Sequence, residues 1–201
     1  MSVLFGMLVL ASLIFCLDAE RMPNGPNKKG SSRRETKITI AYLLDGNSFS
    51  TEAAARNSTA GHWLNSVQEK AQQKINKELQ VNIKFDITNI NITDSDLTQK
   101  LIHWCSNKLI NASAYLDYLK QSYQNKVSPD MICVLTNYTM YDEDLDSYLA
   151  YIKHKTLCES MVPFLLTYIP NKVNNTGEFL SELIKKSITS KKVKLEQSDF
   201  R

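Results

Sequence analysis

The stretch HWLNSVQEKAQQKINKELQVNIKFDITNINIT (62–93) changes its hydrophobic period halfway along. In its first part Trp63, Val67, Ala71, Ile75 and Leu79 recur every fourth residue, the spacing of an amphipathic helix with one apolar stripe to bury. From Gln80 onward Val81, Ile83, Phe85 and Ile87 alternate with polar residues, the period of a half-buried strand. A helix running straight into a strand is part of a β–α–β unit, so the other apolar runs decide the class.

Upstream, TKITIAYLLD (36–45) reads as a buried strand. Downstream, TDSD (93–96) offers N-caps for a second helical region that starts near Leu97 and runs, with a break, to about Gln124. PDMICVLTN (129–137) is a third strand, and MVPFLLTYI (161–169) a fourth whose proline suggests a sheet edge. A last helix has Asn175 as its expected cap and Glu178 in its first turn. This order predicts an α/β fold: a small, mostly parallel sheet of about four to five strands with packing helices.

The chain has 201 residues, 43% of them hydrophobic, enough for one domain with a real core. Its first residues hold an apolar run from Val3 to Leu17, uncharged until Asp18 and followed by small Ala19. The run is short for a membrane span or a retained anchor, so residues 1–19 read as a signal peptide. Residues 20–35 then form a basic flexible leader, 36–190 the domain, and 191–201 a basic tail. Cleavage would leave 24 basic against 20 acidic groups, a net of +4 concentrated in 21–37 and 185–194. Such ends imply at most a weak contact with polyanions. No aromatics are interleaved with the charges, so specific nucleic-acid binding has no support. No second apolar stretch approaches a membrane span, and the expected location is extracellular.

Sequons reinforce that expectation. N-x-S/T without an intervening proline occurs at Asn57, Asn91, Asn111, Asn137 and Asn174. Five behind a signal peptide imply a glycoprotein with exposed acceptor asparagines. After cleavage Cys105, Cys133 and Cys158 remain, an odd count for an oxidising compartment. Cys133 lies in the apolar run MICVLT and is expected to be a buried thiol, which makes Cys105 and Cys158 the disulfide candidates.

For chemistry, the most suggestive frame is Ser181-Glu182-Leu183-Ile184-Lys185 set against the zinc-protease pattern H-E-x-x-H. Glu182 stands at the general-base position, while Ser181 and Lys185 stand where the two histidines would be. A hydroxyl is a poor zinc ligand, and an ammonium repels the ion. The plain alternative is an amphipathic helix that buries Leu180, Leu183, Ile184 and Ile188 and turns Ser181, Glu182 and Lys185 outward. Either way no metal ligand, catalytic residue or cofactor is expected. His62, His103 and His154 are too scattered for a local zinc site and read as surface or capping residues. YDEDLD (141–146) spaces Asp142, Asp144 and Asp146 like a calcium loop, but has Ser147 and Lys153 where glycine and glutamate are required. Tyr115, Tyr118, Tyr123, Tyr138, Tyr141, Tyr148 and Tyr151 cluster in the middle third, a composition that suits either an interface or partial burial against the sheet.

Together these segments resemble the upper subdomain of reprolysin-type metzincin metalloproteases. ITIAYLLD resembles their opening strand, SPDMICVLTNYT their third main strand, KTLCES the segment before their edge strand, and FLSELIKKS the zinc helix. The likeness spans roughly 36–190. The signal peptide, the sequons and the early end resemble secreted tick salivary proteins, both metalloprotease-like proteins without a zinc site and immunosuppressant glycoproteins. That resemblance implies a C-terminally truncated metzincin-like domain that binds extracellular host proteins and modulates immune or haemostatic defence without catalysis. The rival is a divergent or truncated zinc metallopeptidase whose ligands lie elsewhere.

Overall fold

The run at 36–45 becomes the middle of the molecule. Strand β1 (Thr36–Leu44) sends Ile38, Ile40, Tyr42 and Leu44 to one face of the sheet, and Ala41 and Leu43 to the other. Burial on both faces is what a central parallel strand requires, and each fully buried large side chain contributes about 1.5–3 kcal/mol. The computed structural model describes residues 35–124, 126, 128–142, 148–157 and 159–188. The expected signal peptide, nearly all of the leader and the tail lie outside these residues.

After β1 come α1 (Thr59–Leu79), β2 (Ile83–Ile92), α2 (Ser95–His103), β3 (Cys105–Ser106), β4 (Leu109–Asn111) and α3 (Ala112–Tyr123). The chain continues through β5 (Met131–Thr136), β6 (Thr139–Tyr141), β7 (Ala150–Ile152), β8 (Val162–Thr167) and α4 (Val173–Ile188). The main sheet has five strands in the order β2-β1-β5-β8-β7. All its pairings are parallel except β7 with β8. A second sheet, β3-β4-β6, continues beyond the end of β5. Helices α1 and α4 bury one core against the main sheet, and α2 and α3 bury the other. The protein is therefore a mixed α/β fold around a mostly parallel sheet.

The period switch falls where expected. Trp63, Val67, Ala71, Ile75 and Leu79 are all buried, and α1 ends at Gln80 in the left-handed region. Ile83, Phe85 and Ile87 face the same core until an irregularity in the β1–β2 register shifts the phase to Ile90. β2 is an edge strand, and α1 seals part of it. Asn76 bonds both the N–H (2.8 Å) and the C=O (2.9 Å) of Ile83, while Gln72 Oε1 accepts from Phe85 N–H. Arg56 donates to the carbonyls of Ile87 and Thr88. Side chains thus occupy groups that an intruding strand would need.

The second helical region is broken as expected, into two helices split by a hairpin turning at Asn107 (φ 51°) and Lys108 (φ 63°). Two expectations are corrected. The fourth strand, β8, is interior, flanked by β5 and β7. Its proline is tolerated because Val162 N–H and Thr167 N–H bond to Asp130 and Leu149 on opposite sides, which aims the Pro163 nitrogen toward β7, just past Ile152 where that ladder ends. Finally, α4 begins at Val173, so Asn175 is inside the helix rather than its cap, and no acidic residue lies in its first turn.

Candidate functional site

In open α/β sheets, sites form beyond the carboxyl ends of the strands where the strand order reverses. Here that place lies between β1, which connects outward to β2, and β5 on its other side. Asp45, the residue after β1, occupies it at 0% exposure. Its N–H bonds Leu135 O of β5 at 2.9 Å. Asn47 donates to Oδ1 from its backbone (3.0 Å) and its amide (2.9 Å). Ser48 Oγ (2.8 Å) and Thr136 Oγ1 (3.0 Å) donate to Oδ2. Beside it Thr93 Oγ1 accepts from Gly46 N–H and shares a 2.7 Å bond with Thr98 Oγ1.

The burial of this carboxylate is offset by four donors, and the knot fastens the loop after β1 to the end of β5. Both oxygens are already engaged, so the group has little capacity left for a metal or a substrate proton. Sequence reasoning missed it as a site. The available signal was an apolar strand ending in Asp-Gly-Asn-Ser, a pattern in which the Asp side chain bonds the next turn.

The zinc-helix frame lies on α4, which packs against α1. An added Cβ at Gly177 would lie 2.6 Å from Lys70 Cβ and 3.1 Å from Val67 O, so the two helices meet closely there. Ser181, one turn further on the same face, is buried at 0% exposure, and its Oγ has no hydrogen-bond partner. This corrects the outward placement expected for Ser181: a small residue is needed where the helices are close. Leu180, Leu183 and Ile184 are buried as expected.

Glu182 and Lys185 are half-buried at the rim of the seam. Lys185 Nζ lies 2.7 Å from Glu182 and 2.6 Å from Glu78, and Lys74 Nζ lies 3.3 Å from Glu182. Burial alone would raise the Glu182 carboxyl, but bonds and charge from Lys185 and Lys74 outweigh it and hold the group below its ordinary value. Burial likewise works against the Lys185 ammonium, yet Glu182 and Glu78 keep its pKa raised. This is an interhelical ion network, not a solvated polar face.

His62 and His103 are exposed, the latter ring 5.7 Å from Trp104. His154 is half-buried rather than at the surface. Its Nε2 is 3.3 Å from Asp117 Oδ1, within ion-pair reach but not aligned for a hydrogen bond. Burial first, then Lys120, lowers its pKa against a smaller opposing pull from Asp117. Among the described residues no group of three or more His, Cys, Asp or Glu side chains could hold a metal ion.

Cys133 is a buried thiol whose pKa burial pushes well up. Cys105 is a half-buried free thiol beside the Asp45 knot, raised by burial. Cys158, the expected bridge partner of Cys105, and the calcium-like acidic stretch 143–147 lie outside the described residues. Tyr115 is fully buried, its pKa raised by burial, while Tyr118, Tyr123, Tyr138, Tyr148 and Tyr151 pack half-buried on the α2–α3 side. Most of the tyrosine cluster is thus cover for the second core. Asn57, Asn91, Asn137 and Asn174 are exposed; Asn111 is half-buried, its side chain capping α3 by accepting from Ala114 N–H. No helix among the described residues is long and apolar enough to cross a membrane. No protein-family model matches the chain, and no curated protein matches it.

Proposed function

We propose that the protein is a secreted, non-catalytic glycoprotein that binds extracellular host proteins and modulates immune or haemostatic defence, on a metzincin-like scaffold without a zinc site. The α1–α4 seam carries the non-catalytic part. Zinc chemistry of that class needs two neutral imidazoles one turn apart and a carboxylate free to deprotonate a bound water. Position 181 is instead shut into the seam, position 185 carries an ammonium, and Glu182 is committed to Lys74 and Lys185. The exposed sequon asparagines support the glycoprotein part, and the basic ends add a weak polyanion contact to the proposal. The metzincin relationship rests on the motif resemblance and on the order of the main elements.

Purified protein is expected to hold far less than one equivalent of zinc and to show no chelator-sensitive cleavage of gelatin or casein. Stoichiometric zinc, with cleavage abolished by Glu182→Ala, would overturn the reading. Binding is tested on the immobilised glycosylated chain, which should retain a serum or leukocyte-surface protein saturably and independently of chelator.

A further inference from the structure

The five sequons are scattered over 118 residues of sequence, from Asn57 to Asn174, yet the topology gathers them. Asn57 immediately precedes the Ser58 cap of α1. The first turn of that helix lies level with the end of β8, since Trp63 Nε1 donates to Ile169 O at 3.1 Å. Asn91 is the penultimate residue of β2, paired in register with Leu43 near the end of β1. Asn111 closes β4 and caps α3, level with Tyr141 of β6 beyond the end of β5. Asn137 directly follows β5, and Asn174 is the second residue of α4. All five are on the carboxyl edge of the parallel sheet. The reason is geometric: strands end there and the returning helices begin there, and every sequon falls at one of those two junctions.

We infer that the carboxyl edge, the place where this class of fold usually builds its site, is a glycan-covered face, which leaves the amino edge and the helical faces open. This rests on the glycoprotein reading above and adds to it which surface stays open. The half-buried Asn111 fits, because its helix cap uses Oδ1 whereas a glycan is joined to Nδ2. The cover surrounds the Asp45 knot, whose carboxylate is already occupied by its own loop and β5.

The test uses the full chain from a eukaryotic secretory host, labelled with a 5-kDa polyethylene glycol ester of N-hydroxysuccinimide before and after enzymatic deglycosylation. Exposed lysines at the two edges report separately. Lys108, in the hairpin beside β6, and Lys172, just before α4, lie on the carboxyl edge; Lys77 and Lys155 lie at the opposite one. Deglycosylation is expected to raise labelling at Lys108 and Lys172 severalfold and to leave Lys77 and Lys155 unchanged. Asn174→Gln should release Lys172 without releasing Lys108. Glycans present at the sequons with equal labelling at both edges would overturn the cover while leaving the glycoprotein reading intact. Absence of glycans by mass spectrometry would overturn both.

Discussion

Two substitutions to alanine, one helical turn apart in the α1–α4 seam, should change stability in opposite directions. Ser181 is fully buried and its hydroxyl has no partner, so the folded state carries the desolvation of an unpaired polar group, about 1–3 kcal/mol. Ser181→Ala removes that penalty and adds a few tenths of a kcal/mol, roughly, of helix propensity. The expected gain is about 1–2 kcal/mol, which for a domain of this size raises Tm by about 2–4 °C per kcal/mol. Gly177→Ala gains about 1 kcal/mol of propensity as well. Its new methyl, however, would lie 2.6 Å from Lys70 Cβ and 3.1 Å from Val67 O. Neither atom is the end of a flexible side chain, so the helices must separate and loosen the Glu182–Lys185–Glu78 network. Overpacking of this kind costs about 1–3 kcal/mol, and the lost seam contacts should bring the net effect to a loss of about 1 kcal/mol or more. Urea unfolding with a common m-value reads both changes. If Ser181→Ala lowered stability by more than about 1 kcal/mol, the hydroxyl would have a partner and the small-residue seam would be the wrong account of that position. A stabilising Gly177→Ala would mean that the helices are not held at close approach.

Lys108→Gly should stabilise the protein by about 0.5–1 kcal/mol, because a left-handed backbone strains lysine but suits an Asn-Gly turn; a loss would show that the lysine side chain has a role. Asp45→Ala should cost about 2–4 kcal/mol by leaving the donors of Asn47, Ser48 and Thr136 without their acceptor, with increased hydrogen exchange confined at first to the loop after β1; a neutral result would remove the knot as a structural element. Glu182 has its folded pKa lowered, so its contribution is present above the unfolded value and disappears as pH falls through the folded one. Glu182→Gln should therefore flatten stability against pH on the acid side while costing no more than about 1 kcal/mol near neutrality, since the group is half exposed and screened by salt; an unchanged acid limb would rule out a part for the network.

The class of fold was legible because period and burial are local consequences of side-chain order. The fourfold stripe from Trp63 to Leu79 and the alternation from Ile83 to Ile87 could each hide their apolar atoms in only one kind of element. The fully apolar core of MICVLT likewise belonged to a strand covered on both faces. Asp94 as a cap was legible for the same local reason.

What the sequence left open depended on neighbours far along the chain. Strand β7 has three half-buried residues, too few for a periodic signal, and its pairing turned β8 from an edge into an interior strand. Ser181 and Glu182 look like polar-face residues until α1 is placed beside them, because a helix read alone cannot reveal how close its partner comes. The buried carboxylate of Asp45 needed the end of β5, 91 residues away at Thr136, to complete its set of donors. The sharing of one edge by the sequons is likewise a property of strand direction. Local order determined which elements form; their juxtaposition alone decided which polar groups are buried, paired or left to solvent.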